Sequence, residues 1–133
     1  MTEEKSVSQI RVRFAETDKS GAAYHGAYFA WFEVGRTNWL RERGLTYVDL
    51  LSRDVHLPVI STEAKFLRAV AYDDRIEITT TLAQVTGVRL LFDYELRREG
   101  EGETLTRART EHASVDASGR PRRFPEDILR HLK

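Results

Sequence analysis

The chain has 133 residues, with 21 Lys and Arg against 21 Asp and Glu, four His, 41% hydrophobic residues and no cysteine. That length is one domain, residues 1–133, able to bury roughly two-thirds of the surface its unfolded form exposes; the absent cysteines exclude a disulfide framework, a thiolate metal site and a thiol nucleophile, and point to the cytoplasm. A formal net charge of zero argues against a nucleic-acid-binding protein, and apolar stretches far short of the roughly 20 residues of a membrane span, behind a polar, acidic start (MTEEKSVSQ), predict neither signal peptide nor membrane anchor.

Residues 10–15 read as a first strand. From residue 24 to 43, Tyr28, Trp31, Phe32, Gly35 and Trp39 recur at helical spacing, and Ala27, Ala30 and Leu40 widen the stripe. The run Arg41-Glu42-Arg43 followed by Gly44 is a helix stop, with basic residues in the last turn and glycine just beyond. A short helical turn is expected at 47–52. The period then changes to two. A strand at 56–70 has Pro58 near its start, where the missing N–H does least harm. In 75–85, Ile76, Ile78, Thr80 and Leu82 alternate with polar residues, and in 88–97 Val88, Leu90, Phe92, Tyr94 and Leu96 do the same. Val85-Thr86-Gly87 reads as the hairpin turn between them. Gly100-Glu101-Gly102 leads into a strand at 103–116 whose faces are mixed, and 125–133 reads as a tail. One apolar helix followed by antiparallel strands is an α+β layout with the helix on one face of a sheet of about five strands. A single helix leaves edges and apolar surface uncovered, so self-association is expected.

Chemistry concentrates at residues 13–28, between the first strand and the long helix. Asp18 and Gly21 have the composition of a turn. The same loop delivers Tyr24, His25 and Gly26 to a helix start, whose first N–H groups lack intrahelical partners and can hold a polarised carbonyl oxygen. A free carboxylate beside such donors suggests acyl transfer, with the amides on the oxyanion and the carboxylate activating water or attacking directly. Gly-x-Ser-x-Gly, the dinucleotide and phosphate-loop glycine motifs and His-Glu-x-x-His are absent. On residue chemistry alone His25 is a general base, a ligand contact or a residue bonded to its own loop. His56, His112 and His131 read as structural or surface residues without metal-ligand spacing. Glu16 with Asp18 is a weak candidate for a carboxylate pair, and Trp31, Phe32 and Trp39 read as core or subunit-interface packing. Gly119-Arg120-Pro121-Arg122-Arg123 reads first as a solvated turn, and as a nucleotide-phosphate contact second.

Val12-Arg13-Phe14-Ala15-Glu16-Thr17-Asp18, Gly21, Tyr24-His25-Gly26-Ala27-Tyr28, Trp31-Phe32-Glu33 and Arg36 resemble the signature of the hotdog-fold 4-hydroxybenzoyl-CoA thioesterase family, and within it the bacterial acyl-CoA thioesterases associated with the Tol-Pal system. Lys65-Phe66-Leu67-Arg68, Tyr72-Asp73-Asp74 and the 119–125 segment extend the likeness over most of the chain. The resemblance implies a hotdog fold, a long central helix wrapped by a curved five-stranded antiparallel sheet, paired into a homodimer or homotetramer with active sites at the dimer interface. It implies an acyl-CoA substrate, hydrolysed to a carboxylic acid and free CoA. Asp18 would be the catalytic carboxylate, nucleophile or base, and the His25 N–H the oxyanion donor. Tyr24 and the His25 side chain would line the site, while Gly21 and Gly26 would shape its loop. Relatives commonly carry Asn where Ala27 stands, so an amide hydrogen bond at that point is not expected. Lys65, Arg68, Arg120, Arg122 and Arg123 are candidates to meet the CoA nucleotide. No cofactor and no metal is implied. The alternatives are a non-catalytic acyl-CoA-binding protein and an acyl-carrier-protein thioesterase.

Overall fold

The computed structural model describes residues 4–133. Five strands, β1 (Lys5–Arg11), β2 (Val59–Phe66), β3 (Arg75–Val85), β4 (Arg89–Arg98) and β5 (Thr106–Ala113), form one antiparallel sheet in the order β1-β3-β4-β5-β2. Three helices accompany it: α1 (Ala27–Glu42), α2 (Tyr47–Ser52) and α3 (Glu126–Leu132). The long α1 lies over the β1 and β3 side of the sheet. Its Tyr28, Trp31, Phe32 and Trp39 are buried against Ile76, Ile78, Phe92, Tyr94 and Leu96, which are the inward positions of β3 and β4.

Helix and sheet meet most closely at Gly35. A Cβ there would stand 2.3 Å from Thr80 Oγ1 and 3.1 Å from Ile78 Cγ2, so the absence of a side chain sets the approach of α1 to β3. Gly35→Ala should cost about 1–3 kcal/mol by overpacking, against the few tenths that an exposed helical Gly→Ala change gains. A thermal melt of the variant below wild type is the expected reading; an unchanged or higher melting temperature would show that the contact has slack.

The predicted bounds of α2 and β3 match the structure, and those of β4 differ by one residue at each end. The first strand lies earlier than the 10–15 segment. It spans Lys5–Arg11, and Phe14–Glu16 is a 3-10 turn. The inward residues of β1 are Ser6, Ser8 and the half-buried Ile10, the serines satisfied by polar partners on α1: Ser6 Oγ donates to Glu42 Oε2 at 2.9 Å and Asn38 Nδ2 donates to Ser8 Oγ at 3.0 Å. A buried face with serines at two of its three positions leaves no apolar alternation to read. The helix predicted from residue 24 begins at Ala27, with 24–26 as the turn that feeds it. The 56–70 and 103–116 segments shorten to β2 and β5, and their outer parts survive as isolated bridges such as His56 to Val115. The mixed character of β5 has a cause: Thr106, Ala108, Thr110 and His112 face inward, so its buried side is largely polar.

The 125–133 segment is a helix rather than a tail. α3 follows Pro125, carries Glu126 and Asp127 in its first turn and Arg130 and His131 in its last, as the helix dipole favours, and buries Ile128, Leu129 and Leu132. Asp127 is clamped to the Arg53 guanidinium by bonds of 2.6 and 3.1 Å.

Candidate functional site

The loop between the 3-10 turn and α1 is held on three sides. Glu16 is buried, its Oε1 accepting the Arg13 N–H at 2.8 Å and its Oε2 accepting the Trp31 indole N–H at 2.9 Å and an Arg13 guanidinium N–H at 3.2 Å. Burial would raise this carboxyl's pKa, but the Arg13 amide, the indole and the guanidinium outweigh it and hold it below the ordinary value. Ala23 N–H donates to Val70 O at 2.7 Å, Tyr24 N–H to Glu16 O at 3.1 Å, and Ala22 bridges to Ala71. The loop is therefore stitched to helix, 3-10 turn and the segment after β2.

Within this frame Asp18 opens a tight turn. Its own N–H donates to Ala22 O at 3.0 Å, its carbonyl accepts the Gly21 N–H at 3.0 Å, and Gly21 takes φ +86°, a left-handed conformation that only glycine adopts without strain. The Asp18 side chain is exposed. One oxygen, Oδ1, accepts the Ser20 N–H at 2.8 Å and the Ser20 hydroxyl. Those two bonds, the hydroxyl first, and the neighbouring His25 hold the carboxyl below its usual pKa, so it is ionised at neutral pH. Glu16 faces inward and Asp18 outward, so the two do not act as a carboxylate pair.

The helix start lies on the same loop. Ala27, Tyr28 and Phe29 donate their N–H groups to Tyr24, His25 and Gly26 carbonyls at 3.0, 3.2 and 3.3 Å. The N–H groups of His25 and Gly26 have no acceptor among the described residues. Two adjacent amides are thus free at the head of a 16-residue helix whose dipole favours negative charge. The Tyr24 ring covers Gly26, where a Cβ would sit 3.1 Å from Tyr24 Cε2. Of the three roles open to the His25 side chain, bonding to its own loop is not seen among the described residues. The imidazole instead stacks flat on Phe66, with ring centroids 4.3 Å apart and planes at 12°, and Phe66 turns its edge to Tyr28 at 4.8 Å.

The sequence offers Phe66 only as part of a shared motif; its place under His25 follows from topology, because the end of β2 meets the start of α1. Ser20 was also missed, although a serine two residues after an aspartate is a recognisable Asx-turn pattern. Phe14 and Tyr72, both exposed and packed edge to face at 5.7 Å, flank the same loop.

The basic candidates fall into two groups. Lys65 and Arg68 stand at the Phe66 end of the sheet, Arg68 paired with Glu103 at 3.4 Å. Lys65 also lines a cleft of about 560 Å³ on the outer sheet face, which neither Asp18 nor His25 touches. Arg120, Arg122 and Arg123 stand at the opposite end. Arg122 N–H donates to Ser114 O, beyond the last residue of β5, and its guanidinium donates to Arg53 O at 3.2 Å; the Arg123 guanidinium lies against Gly87 in the β3–β4 turn. The length of β5 separates the groups by on the order of 20 Å. No group of three or more His, Cys, Asp or Glu side chains among the described residues could hold a metal, and no described helix is long and apolar enough to cross a membrane.

A fixed anionic carboxylate and two unpaired amides on one loop form the pair of elements that attack on an acyl carbon calls for. The family model described as the thioesterase-like superfamily matches residues 12–132. The chain belongs to that thioesterase family. Its α+β hotdog fold is shared by the DHNA-CoA thioesterase of Staphylococcus aureus, with a TM-score of 0.91 and 28% identity over 96% of this chain and 88% of that one. An acyl-CoA thioesterase of Haemophilus influenzae, YbgC, is 32% identical over 129 residues, 93% of each chain. A putative acyl-CoA thioesterase of Bacillus subtilis, YneP, is 31% identical over 111 residues, 84% of this chain and 80% of that protein. In this thioesterase the segment between β1 and α1 is held in place by its bonds to α1, the 3-10 turn and the segment after β2.

Proposed function

We propose that this thioesterase hydrolyses acyl-CoA, with Asp18 as the catalytic carboxylate and the free N–H groups at the head of α1, that of His25 first, as the oxyanion donors. The observation that carries the proposal is the coincidence on one loop of an ionised, singly committed carboxylate and unpaired helix-start amides. The thioester carbonyl oxygen would sit on the amides. Asp18 would either take a proton from water as its oxygen attacks the acyl carbon, or attack that carbon itself to form an anhydride that water then opens. By either route the C–S bond breaks, the thiolate takes the released proton, and the products are carboxylic acid and free CoA. Tyr24 and the flat face of His25 would line the entry for the acyl group. After a single turnover in H₂¹⁸O, label in Asp18 marks the anhydride route, with water opening the anhydride at the Asp18 carboxyl carbon.

The edge strand β2 supports a homodimer. It has one neighbour, β5, and Val59, Ile60, Phe66 and Leu67 on or beside it are exposed. Antiparallel pairing of two β2 edges about a two-fold axis would set the Phe66 end of one subunit beside the opposite end of the other. The partner subunit's Arg120, Arg122 and Arg123 would then approach the Lys65 and Arg68 side of the Asp18 loop. The two basic groups that one chain keeps apart would come together across the interface, where the CoA phosphates could use both. Whether two such dimers join into a homotetramer is read by the solution mass, and a cytoplasmic location accompanies the proposal.

The test is thiol release from a panel of short-chain, long-chain and aromatic acyl-CoAs, with an acyl-carrier-protein thioester of one of the same acyl groups. Turnover of the CoA esters is expected. Tight binding without release across the panel would replace the proposal with a non-catalytic acyl-CoA binder, and faster release from the carrier protein would make the protein an acyl-carrier-protein thioesterase.

A further inference from the structure

The Asp18 carboxylate uses its two oxygens unequally. Oδ1 accepts both the Ser20 N–H, at 2.8 Å, and the Ser20 hydroxyl, while Oδ2 has no hydrogen-bond partner among the described residues. The hydroxyl is itself oriented. Ala22 N–H reaches Ser20 Oγ at 3.4 Å, so the chain of donors runs from the Ala22 amide through Ser20 Oγ to Asp18 Oδ1. A donor in such a chain is polarised by the one behind it and binds the anion more strongly than it would alone. Both ends are set by the frame, because Ala22 is bridged to Ala71 and its carbonyl accepts the Asp18 N–H at 3.0 Å.

We propose that Ser20 is a positioning residue for Asp18: its hydroxyl fixes the carboxylate rotamer, occupies Oδ1 and so presents Oδ2 as the oxygen that meets water or the thioester. The inference rests on the assignment of Asp18 as the catalytic carboxylate. The Ser20 hydroxyl is also the largest single cause of the depressed Asp18 carboxyl pKa. Removing the hydroxyl leaves the Ser20 N–H bond in place. The carboxylate then loses one of two charge-assisted bonds and gains rotational freedom about its side-chain torsions, without any loss of buried apolar contact, because Ser20 is exposed.

The experiment compares wild type with Ser20→Ala and Ser20→Thr from pH 9 down to about pH 3, below the ordinary aspartate pKa, following thiol release from the best acyl-CoA of the panel, with folding at each pH checked by circular dichroism. Ser20→Ala should lower kcat by about tenfold with KM little changed, the scale of one hydrogen bond to a charged group. The acid limb of its kcat/KM profile should move to higher pH, because the hydroxyl that lowers the carboxyl pKa is gone. Ser20→Thr keeps the hydroxyl and should restore both the rate and the limb. A loop residue with a purely structural role would not move the acid limb or be rescued by threonine. Wild-type kcat and an unmoved acid limb in Ser20→Ala would overturn the inference, as would a defect that threonine leaves unrepaired in a variant with a wild-type melting temperature. Asp18→Asn separates this from the underlying assignment: if that variant retains turnover, the role of Asp18 fails, whereas an inactive Asp18→Asn beside a normal Ser20→Ala removes only the role of Ser20. In the double variant the serine change should have no further effect.

Discussion

Asp18→Asn should lower kcat for acyl-CoA hydrolysis by roughly 10²–10⁴-fold, the range that a positioned acid–base group contributes, with KM changed far less. The substitution is close to isosteric. The amide oxygen can still accept the Ser20 N–H and hydroxyl that now bind Oδ1, so the turn from Asp18 to Gly21 has no reason to open. What is lost is the charge and the free oxygen. An amide neither deprotonates water nor attacks a thioester, while the two free amides before α1 and the substrate contacts are left intact, which accounts for residual activity above the uncatalysed rate. The pH profile supplies the second reading. Hydrogen bonds from Ser20 hold the Asp18 carboxyl below the usual carboxylate range, so the wild-type plateau of kcat/KM should extend to lower pH than an ordinary aspartate would allow. Wild-type hydrolysis by the asparagine variant, with the protein confirmed folded by circular dichroism, would end the assignment and move the search to His25 or to a partner-subunit group.

The sequence announces this loop more clearly than it announces the residues packed around it. Asp, Gly and the Tyr-His-Gly entry to a helix are contiguous, and their meaning is local: a turn, a left-handed glycine and unpaired helix-start amides. α1, β3 and β4 are legible for a similar reason, since each buries a regular stripe of large apolar residues. β1 and β5 are not, because Ser6, Ser8, Thr106, Thr110 and His112 put polar groups on the buried face, and the partners of Ser6, Ser8, Thr110 and His112 lie elsewhere in the fold, on Glu42, Asn38, Tyr94 and Leu57. No periodicity reveals a buried serine bonded to a glutamate 36 residues away. The Glu16 carboxylate looked like a possible catalytic partner for Asp18, and only the placement of the Trp31 indole shows that it ties the 3-10 turn to α1. Phe66 lies 41 positions after His25, and their stacking depends on strand order, which local pattern does not encode. The arginines of the 119–123 segment are adjacent in sequence, but their position at the far end of the sheet from the Asp18 loop comes from the fold alone.

Folding stability should fall by roughly 3 kcal/mol between pH 6.5 and pH 4, and His112 should be the cause. The ring is 1% exposed and lies in the polar underside of β5. Its hydrogen bonds fix one neutral tautomer. Leu57 O, 3.0 Å from Nδ1, can only accept, so Nδ1 carries the proton; Nε2, 2.9 Å from Thr110 Oγ1, must then accept. Thr110 in turn accepts from the Tyr94 hydroxyl at 2.6 Å, giving a one-way chain from Tyr94 through Thr110 and His112 to Leu57. Protonating Nε2 would set two donors against each other in that chain, inside the core. Burial, opposed by the bond to Leu57 and aided by the positive charge of Arg36, pushes the imidazole pKa down from 6.5 to about 4. The sign follows. In the unfolded chain this histidine takes up a proton as pH falls below 6.5, while the folded protein does not until about pH 4, so acid favours unfolding throughout that interval and stability is complete only above it. Glu16, whose carboxyl is depressed when folded, adds a loss that begins only below the ordinary glutamate value of 4.5, so the two effects overlap only at the acid end of the interval. Urea midpoints at fixed protein concentration from pH 7 to pH 4 read the slope directly, the concentration being held because assembly shifts apparent stability. His112→Gln retains a donor for Leu57 O and an acceptor for Thr110 without a titratable ring; it should lower stability at pH 7 and flatten the slope between pH 6.5 and pH 4. A glutamine variant with the full wild-type slope would mean that the acid sensitivity arises elsewhere in the fold.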